Sequence, residues 1–522
     1  MATFRRPGVY IEEAKFLDSS ESGASQATTL FVGACERGPT MDNVSVGSWS
    51  DYVSVFGEFN PAAGTDISFL PYAVYSYFQN GGRGLTIRRA VGAADGVASS
   101  YDVLDGTPVT PLVAFTLTAK SAGEWGDSLK AEIVTQGSSM DGVYNLNIWK
   151  TDEYGNDRLV ETFTDLSCSP TDPSLRTPAQ AVNDEIYGSK YVTAVIVNPA
   201  AIPDPTQSTL ENGLFSGGDE PDAPTSAELN TATAAAIDDV YGSVLLYAAG
   251  HYLDGSWTPS TFDVSSSRLN VFLIQDGAPP RGAGDTSAEY AGTISSDANL
   301  TRNLNSSQAA SYTPWLVIPS PQKIGTTQLT PPGGAVAGVI SRMDYSSGVF
   351  RSPAGIIASV NNVINVDAKF SDSDLASLNN DNINVIRPVA GNGVCIMGAR
   401  TRKPRGVDRF IAARRTLIQI EQQLQDATVF AVFENNDELL WSRLRTTANR
   451  ILQPIWSAGG LRGGSASEAY FITCDASINT PQVIASGEVR MEIGVALEYP
   501  AEFIVIRLSQ FDGGSASRTA LA

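Results

Sequence analysis

The chain has 522 residues, of which 42% are hydrophobic and 17% are charged, a composition typical of a globular protein and neither of a disordered nor of a membrane protein. Because a single core rarely grows beyond about 250 to 300 residues, a chain of this length is expected to form several domains. The net charge of −21 disfavours nucleic-acid binding. The sequence has no apolar run of about 18 residues and no apolar N-terminal segment, so we expect neither membrane insertion nor secretion.

The first predicted element is a β-strand close to the N-terminus. Apolar and polar residues alternate after a Pro-Gly start, and a polar stretch follows instead of a hairpin turn. The strand therefore has no local partner for its backbone hydrogen bonds. Its residues are Pro7, Gly8, Val9, Tyr10, Ile11 and Glu12.

The next three hundred residues change character twice. Residues 28–90 alternate strand-like runs with a helix over FLPYAVYSYFQNGG. From about residue 91, short strands between turn residues predict a β-rich insertion, in which YNLNIWK and RLVETF form a hairpin around EYGND. Residues 219–334 mix Ala-rich helical sequence with buried-strand runs, as in an α/β unit. Residues 91–330 hold 29 acidic against 10 basic residues, a balance of −19 that predicts a solvated outer surface.

Two amphipathic helices and a second isolated strand are predicted near the C-terminus. One helix begins near Val407, and the other runs from a cap at Asn436 or Asp437 to a glycine pair, with Pro454 expected to kink or end it. The run AEFIVIRL then predicts a strand with no hairpin partner beyond it. The residues assigned to this second arm are Glu502, Phe503, Ile504, Val505 and Ile506.

The sequence offers little for catalysis or for binding a metal or cofactor. Only one histidine is present, His251, so a histidine-based zinc site is excluded and a catalytic triad would have to use that residue. No P-loop motif occurs, and the glycines of GNGVCIMG have the wrong spacing for a dinucleotide fingerprint. We therefore expect no enzyme activity, no cofactor and no metal site. Four scattered cysteines predict buried, reduced thiols: Cys35, Cys168, Cys395 and Cys474.

The two isolated terminal strands allow two interpretations. They could pair with each other within one subunit, as chain termini often do. Alternatively, they could be donated to neighbouring subunits and extend a neighbour's sheet. Composition does not decide between these possibilities.

A basic segment stands out in this acidic chain. Seven positive charges fall within 16 residues, opposed only by Asp408. Cations do not suit a helix N-terminus, so local helix stability does not explain them, whereas neutralisation of nearby carboxylates explains some of them. We call this group the basic segment: Arg400, Arg402, Lys403, Arg405, Arg409, Arg414 and Arg415.

An ordered series of sequence blocks resembles the contractile phage tail sheath proteins. PGVYIEE and FVGACERGP are similar to the N-terminal blocks of that family, and PPGGAVAGVISRMD, VFENNDELLW and YPAEFIVIRLSQ are similar to its C-terminal blocks. The resemblance covers roughly residues 1–90 and 330–512, with patchier similarity between them. No single block is specific for the family, but the order and spacing of the blocks are specific for it.

The resemblance implies an α+β multidomain fold with a mixed α/β inner frame, formed by residues 21–90 and 335–495. A β-rich outer insertion at residues 91–218 and an α/β domain at residues 219–334 are expected to interrupt that frame. The terminal strand arms are expected at residues 1–20 and 496–522.

The implied function is that of a structural subunit, which polymerises as hexameric rings around an inner tube and contracts to drive the tube through a host envelope. The implied partners are neighbouring sheath subunits, the inner tail tube protein, and baseplate and tail terminator proteins. The implied location is the phage tail of a virion, assembled in the host cytoplasm. In tail sheaths the region of the basic segment faces the tube, which implies tube contacts for Arg402, Lys403, Arg405, Arg409, Arg414 and Arg415.

Other classes of protein remain open at this stage. The chain could form the sheath of a non-viral contractile injection particle, or another assembly such as a capsid or surface layer. An enzyme would require a convergent site, and the sequence contains no motif for one.

Overall fold

The structure is a computed structural model, which describes residues 27–59, 69–93, 96–107, 110–135, 142–152, 155–169, 175–184, 186–252, 268, 270–279, 286–300 and 306–502. The predicted arm strands at residues 7–12 and 503–508 lie outside these ranges.

The strands of the described residues are β1 (Thr28–Gly33), β2 (Val44–Val46), β3 (Leu85–Arg89), β4 (Ser100–Leu104), β5 (Val113–Ala119), β6 (Leu129–Thr135), β7 (Tyr144–Thr151), β8 (Asp157–Leu166), β9 (Val192–Ile196), β10 (Val244–Tyr252), β11 (Val271–Asp276), β12 (Ala309–Thr313), β13 (Leu316–Pro319), β14 (Thr327–Thr330), β15 (Asn365–Val366), β16 (Ile383–Val389), β17 (Gly393–Ile396), β18 (Tyr470–Thr473) and β19 (Glu492–Val495). The α-helices are α1 (Trp49–Phe56), α2 (Phe69–Gln79), α3 (Pro178–Val182), α4 (Ser226–Asp238), α5 (Ser287–Leu300), α6 (Gly333–Ser347), α7 (Asp372–Asn380), α8 (Ile411–Thr428), α9 (Glu438–Ser457), α10 (Ala466–Ala469) and α11 (Pro481–Ala485).

An eight-stranded sheet with the order β17-β16-β12-β11-β10-β1-β3-β2 forms the centre of the molecule. Its interior pairs are parallel, and only the outermost pairs, β16–β17 and β2–β3, are antiparallel. All six residues of β11 are buried, as expected for a parallel strand covered by helices on both faces. Helices α2 and α6 pack on one face, and α4 packs on the other.

The central sheet combines three parts of the chain. Strands β10 to β12, from the expected α/β unit at residues 219–334, lie between β1 and β16, which come from the expected inner frame. The expected α/β unit and the expected inner frame therefore share one hydrophobic core instead of forming separate layers. The physical reason is that a parallel strand needs hydrogen-bonding neighbours on both sides, which here come from distant parts of the sequence.

Helices α2 and α6 touch backbone to backbone. A Cβ atom at Gly334 would lie 2.5 Å from the Cα atom of Ala73, and one at Gly338 would lie 2.5 Å from the carbonyl oxygen of Tyr77. Both distances are too short for any side chain, so glycine is required for the two helices to approach this closely. The sequence GGAVAG at the start of α6 thus sets the distance between the helices.

The β-rich region has a core of its own. Sheets β4-β5-β9 and β6-β7-β8 enclose buried residues between Val103 and Phe215. The predicted hairpin is confirmed, because β7 pairs antiparallel with β8 around the EYGND turn. The chain enters and leaves this region at adjacent points, since Val97 pairs with Asp219 and the Gly92 N–H donates to the Asp222 carbonyl oxygen at 2.7 Å.

Arg37 connects the β-rich region to the central sheet. The Arg37 guanidinium lies 5.1 Å from the ring centre of Trp125 and 4.6 Å from that of Tyr191, and it donates to the Val53 carbonyl oxygen at 2.9 Å. These cation–π contacts are buried, where they are stronger than at an exposed site. The contact fixes the β-rich region relative to β1 and α1.

Helices α8 and α9 dominate the C-terminal region, and both differ in detail from expectation. α8 begins at Ile411 and not near Val407, because Phe410 is extended and residues Val407–Arg409 form a separate 3-10 turn. α9 is capped by Asp437, one of the two residues predicted for this position. The Asp437 side chain accepts a hydrogen bond from the Leu440 N–H. The helix continues through Pro454 to Ser457. Pro454 has no backbone N–H to donate, but this loss falls on the exposed side of the last turn.

Candidate functional site

The described residues contain little that could perform chemistry. No group of three or more potential metal ligands occurs among them, and none of their helices is long and apolar enough to cross a membrane. The four cysteines are buried, as predicted, and burial raises the pKa of the Cys35 thiol to about 12, which makes it a poor nucleophile.

Of the residues assigned to the two arms, only Glu502 lies within the described part of the chain. Its carboxylate accepts hydrogen bonds from Arg400 of the basic segment, at 2.8 Å from Nε. The predictions for residues 7–12 and 503–506 fall outside the described residues.

Four cations of the basic segment are buried inside the chain. Arg415 donates to the Asp344 carboxylate on α6 at 2.8 Å, and the guanidinium of Arg414 lies 3.9 Å from the Glu421 carboxylate. Buried charges need such partners, because unpaired burial costs several kcal/mol. Arg400, Arg414 and Arg415 therefore neutralise carboxylates within the subunit, as the sequence indicated for part of the segment. The buried members are Arg400, Arg402, Arg414 and Arg415.

The other three cations of the basic segment differ in exposure. Arg405 is exposed, whereas Lys403 and Arg409 are half-buried, and Lys403 is paired with Asp408. Burial, together with the nearby charge of Arg400, lowers the pKa of Arg409. Contact of the basic segment with an inner tube stays a prediction. It depends on these three side chains, because the buried arginines do not reach the surface of the subunit.

A second basic surface lies on the outer face of α9. The exposed positions 439, 443, 446, 450 and 453 recur at spacings of four and three residues, which places them along one stripe of the helix. Arg443 and Arg450 lie on this stripe, and Arg462 is exposed just after the helix. Residues 438–464 contain four arginines and one acid. We call this surface the α9 face.

The sequence contained the signal for the α9 face. The apolar stripe of the helix, which includes Leu440 and Leu444, was predicted to face the core, and both residues are buried. The opposite stripe of a helix with one buried side must face outward. Two arginines and no acid on that stripe, in a chain with a net charge of −21, indicate a positive surface.

Strands β18 and β19 form a separate two-stranded antiparallel sheet. Four residue pairs, from Tyr470–Val495 to Thr473–Glu492, define the ladder. Among the described residues no other strand pairs with either of them, so both outer edges offer backbone hydrogen-bonding groups. A pair of strands alone is only marginally stable, which favours the addition of further strands.

Two family models match the chain. Residues 281–402 match the central domain of the phage tail sheath protein, and residues 409–511 match the phage tail sheath C-terminal domain. No curated protein matches the chain. The predicted resemblance to phage tail sheath proteins is confirmed over these two domains.

Solved structures of contractile sheath proteins share the fold. The chain is similar to a chain of the anti-feeding prophage baseplate, with 22% identity, a TM-score of 0.55, and coverage of 97% of this chain and 99% of that one. It is similar to the sheath of the extracellular contractile injection system PVC in its contracted state, with 21% identity, a TM-score of 0.56, and coverage of 98% and 99%. The sheath tail protein Lin1278 of Listeria innocua gives 10% identity, a TM-score of 0.58, and coverage of 88% and 90%. The mixed α+β fold is thus that of contractile sheath proteins.

Proposed function

We propose that this chain is the sheath subunit of a contractile particle, which polymerises as hexameric rings around an inner tube and contracts to drive that tube through a cell envelope. The observation that carries the proposal is the match of two consecutive segments to the central and C-terminal domains of phage tail sheath proteins. The similarity of fold over nearly the whole chain supports it.

Neighbouring subunits are joined by the terminal arms in this proposal. The strands at residues 7–12 and 503–508 would add to the open edges of β18 and β19 in adjacent subunits. A backbone ladder is independent of side-chain rearrangement, so it can persist while the subunit bodies rotate. The sheet β18–β19 supports this assignment because it has two edges, and the sequence predicts two arms for each subunit.

The α9 face is the surface that we assign to the inner tube. Its exposed arginines are suited to acidic groups on a partner, and their contacts are individually weak, roughly 0 to 1 kcal/mol each. Weak contacts repeated in every ring can hold a sheath on a tube before contraction and release it during contraction. The exposed part of the basic segment, around Arg405, is the second candidate for the same partner.

Contraction requires no fuel in this mechanism. The sequence has no P-loop motif, and the energy is stored in the subunit interfaces when the extended sheath assembles. The extended and contracted lattices differ in interface free energy, and a baseplate trigger removes the barrier between them. The subunit then acts as a structural protein and not as an enzyme.

Two kinds of particle fit this proposal. A phage tail would place the protein in a virion assembled in the host cytoplasm, with a tube, a baseplate and a tail terminator as partners. The sheath of a non-viral contractile injection particle is the alternative, because the similar solved structures include the anti-feeding prophage and PVC systems. A capsid or surface-layer role has no support from these comparisons.

Negative-stain electron microscopy of the purified protein tests the proposal. We expect rings with six subunits, or tubular polymers that widen and shorten when they contract. A monodisperse monomer at all concentrations, or flat sheets or closed shells, would contradict it. Co-expression of this chain with its flanking genes, followed by purification of the particles, would then distinguish a phage tail from an injection particle. Capsids would accompany the tubes only in the case of a phage.

A further inference from the structure

Glu502, the last described residue of the chain, forms an ion pair with Arg400 at the start of the predicted C-terminal arm. Arg400 uses Nε and Nη2 to hold both carboxylate oxygens of Glu502, with Nε distances of 2.8 and 3.2 Å. The exposed fractions of the two side chains are 5% and 22%. A bidentate contact of this kind is stronger and more directional than an ordinary surface ion pair.

Arg400 is itself fixed to the central sheet. The amide of Asn384 on β16 accepts from the Arg400 N–H at 2.8 Å and donates to the Arg400 carbonyl oxygen at 2.8 Å. The same amide donates to the carbonyl oxygen of Ser311 on β12. Arg400 Nη1 also donates to the Asn379 carbonyl oxygen at the end of α7. The arginine therefore joins Glu502 to two strands and one helix.

The residues before Glu502 have a second contact with the same region. The rings of Tyr499 and Phe410 lie 5.9 Å apart, and Phe410 pairs by its backbone with Arg400. Residues 499–502 have no regular secondary structure, so side chains hold this segment in place. The ion pair and the aromatic contact thus hold residues 499–502 against the body of the subunit.

We propose that the Arg400–Glu502 pair is the anchor of the C-terminal arm and the point at which tension on that arm enters the subunit. The tension arises only if the arm pairs with a neighbour, so the mechanical part rests on the proposed function. Force applied beyond residue 502 passes from Glu502 to Arg400 and, through Asn384, into β16 and β12. Without the pair, the last attachment is the contact of Tyr499 with Phe410, and the arm gains the three residues 500–502 as slack.

The anchor is tested first in the unassembled protein with a glutamate-specific protease. Glu434 is exposed in a loop outside this segment and serves as an internal reference for cleavage, whereas the carboxylate of Glu502 is held by Arg400. In Arg400→Met we expect cleavage after Glu502 to become at least tenfold faster than in the wild type, with cleavage after Glu434 unchanged. Arg400→Lys keeps the positive charge but cannot make the bidentate contact, so its rate of cleavage after Glu502 should be intermediate. Arg490→Met, which breaks the exposed pair with Glu488, should leave both rates unchanged.

Wild-type cleavage rates after Glu502 in both Arg400 variants would overturn the anchor. If Arg400→Met fails to fold, Arg400→Lys alone decides, since it retains a cation for the buried site.

The mechanical part is tested in assembled sheaths of Glu502→Gln, with Glu488→Gln as the matched control. We expect both variants to polymerise, and contraction to break the Glu502→Gln sheaths into pieces at least twofold shorter than those of the wild type. Intact contracted sheaths of Glu502→Gln would overturn the assignment of tension to this pair. Failure of the wild type to polymerise would instead contradict the proposed function, and the protease result would still decide the anchor.

Discussion

Arg415 on α8 and Asp344 on α6 form a buried ion pair between the C-terminal region and the central sheet. The exposed fractions of their side chains are 4% and 7%, and two N–H groups of the guanidinium donate to the two carboxylate oxygens. Burial alone would lower the pKa of Arg415, but the charge and hydrogen bonds of Asp344 outweigh it and raise that pKa. α6 also packs on α2, so the pair connects α8 to the two closely packed helices that cover one face of the central sheet.

Removal of one partner from this pair should strongly destabilise the protein. Arg415→Met leaves the Asp344 carboxylate buried without its counter-ion, which costs about 3 to 5 kcal/mol in comparable sites. Urea unfolding measures the loss. The control Arg490→Met breaks an exposed pair and should cost about 0 to 1 kcal/mol. Equal effects of the two substitutions would show that the buried pair contributes no more than a surface pair.

Asp276 should make stability depend on pH. Burial raises the pKa of this carboxyl to about 7, although hydrogen bonds from the Tyr247 hydroxyl and the Gly333 N–H oppose the shift. Between about pH 4 and pH 7 the folded chain keeps a proton that the unfolded chain has lost. The contribution of the group is therefore complete below about pH 4 and is lost as the pH rises through 7.

Asp276→Asn carries no titrating proton at this position and isolates the effect. The free energy of unfolding of the variant minus that of the wild type should increase with pH, by at most about 1.4 kcal/mol per pH unit across this window. Chemical denaturation at four pH values between 4.5 and 7.5 provides the measurement. A difference that stays constant across the window would contradict a raised pKa.

Charge reversal on the α9 face should weaken binding to the tube. Arg443→Glu with Arg450→Glu should leave the monomer folded and reduce assembly on isolated tubes by about 1 to 2 kcal/mol per subunit, more at low salt than at high salt. Sedimentation of sheath with tubes measures the effect, and Arg490→Glu is the control. The pair Arg405→Glu and Arg409→Glu tests the basic segment in the same assay. Loss of binding in that pair alone would move the tube contact from α9 to the basic segment.

Deletion of either arm should abolish polymerisation but not folding. Chains that lack residues 1–20 or 503–522 are expected to melt cooperatively, because the central sheet and its helices are built from other residues. Electron microscopy should find no rings or tubes in these samples. Loss of cooperative melting would show instead that the strands belong to the core of their own subunit.

The β-rich region should be removable without loss of assembly. An acidic surface is tolerated where water screens it, so this region is expected on the exterior, away from the tube. Excision of residues 107–190 would remove β5 while leaving its partner β4, whereas the pairing of Val97 with Asp219 marks a cleaner excision. Replacement of residues 96–219 by a short Gly-Ser linker should preserve rings in negative stain. Their disappearance would contradict an exterior position.

Local patterns predicted local structure well. The helix over residues 69–79, the β7–β8 hairpin and the Asp437 cap follow from apolar spacing, turn residues and capping chemistry, and each is found in the structure. These signals act between residues that are close in sequence, which is why they can be recognised without knowledge of the fold.

Features that depend on distant contacts were not predictable in the same way. Residues 219–334 show the pattern of an α/β unit, but no local signal indicates that β10 and β12 will be flanked by β1 and β16. Likewise, a run of arginines does not reveal that Arg415 will meet Asp344, 71 positions away. Burial of an ion pair depends on which carboxylate the fold places opposite, and this information is spread over the whole chain.

The glycine contacts between α2 and α6 determine how stiff the subunit is. Side chains at a helix interface can change rotamers and absorb a small displacement, whereas two backbones in contact have no such freedom. A torque applied at the edge of the subunit therefore reaches the central sheet without being dissipated at Gly334 and Gly338. The body of the subunit is therefore expected to move as one rigid unit, and in the proposed sheath any change in the spacing between subunits has to come from the contacts between them.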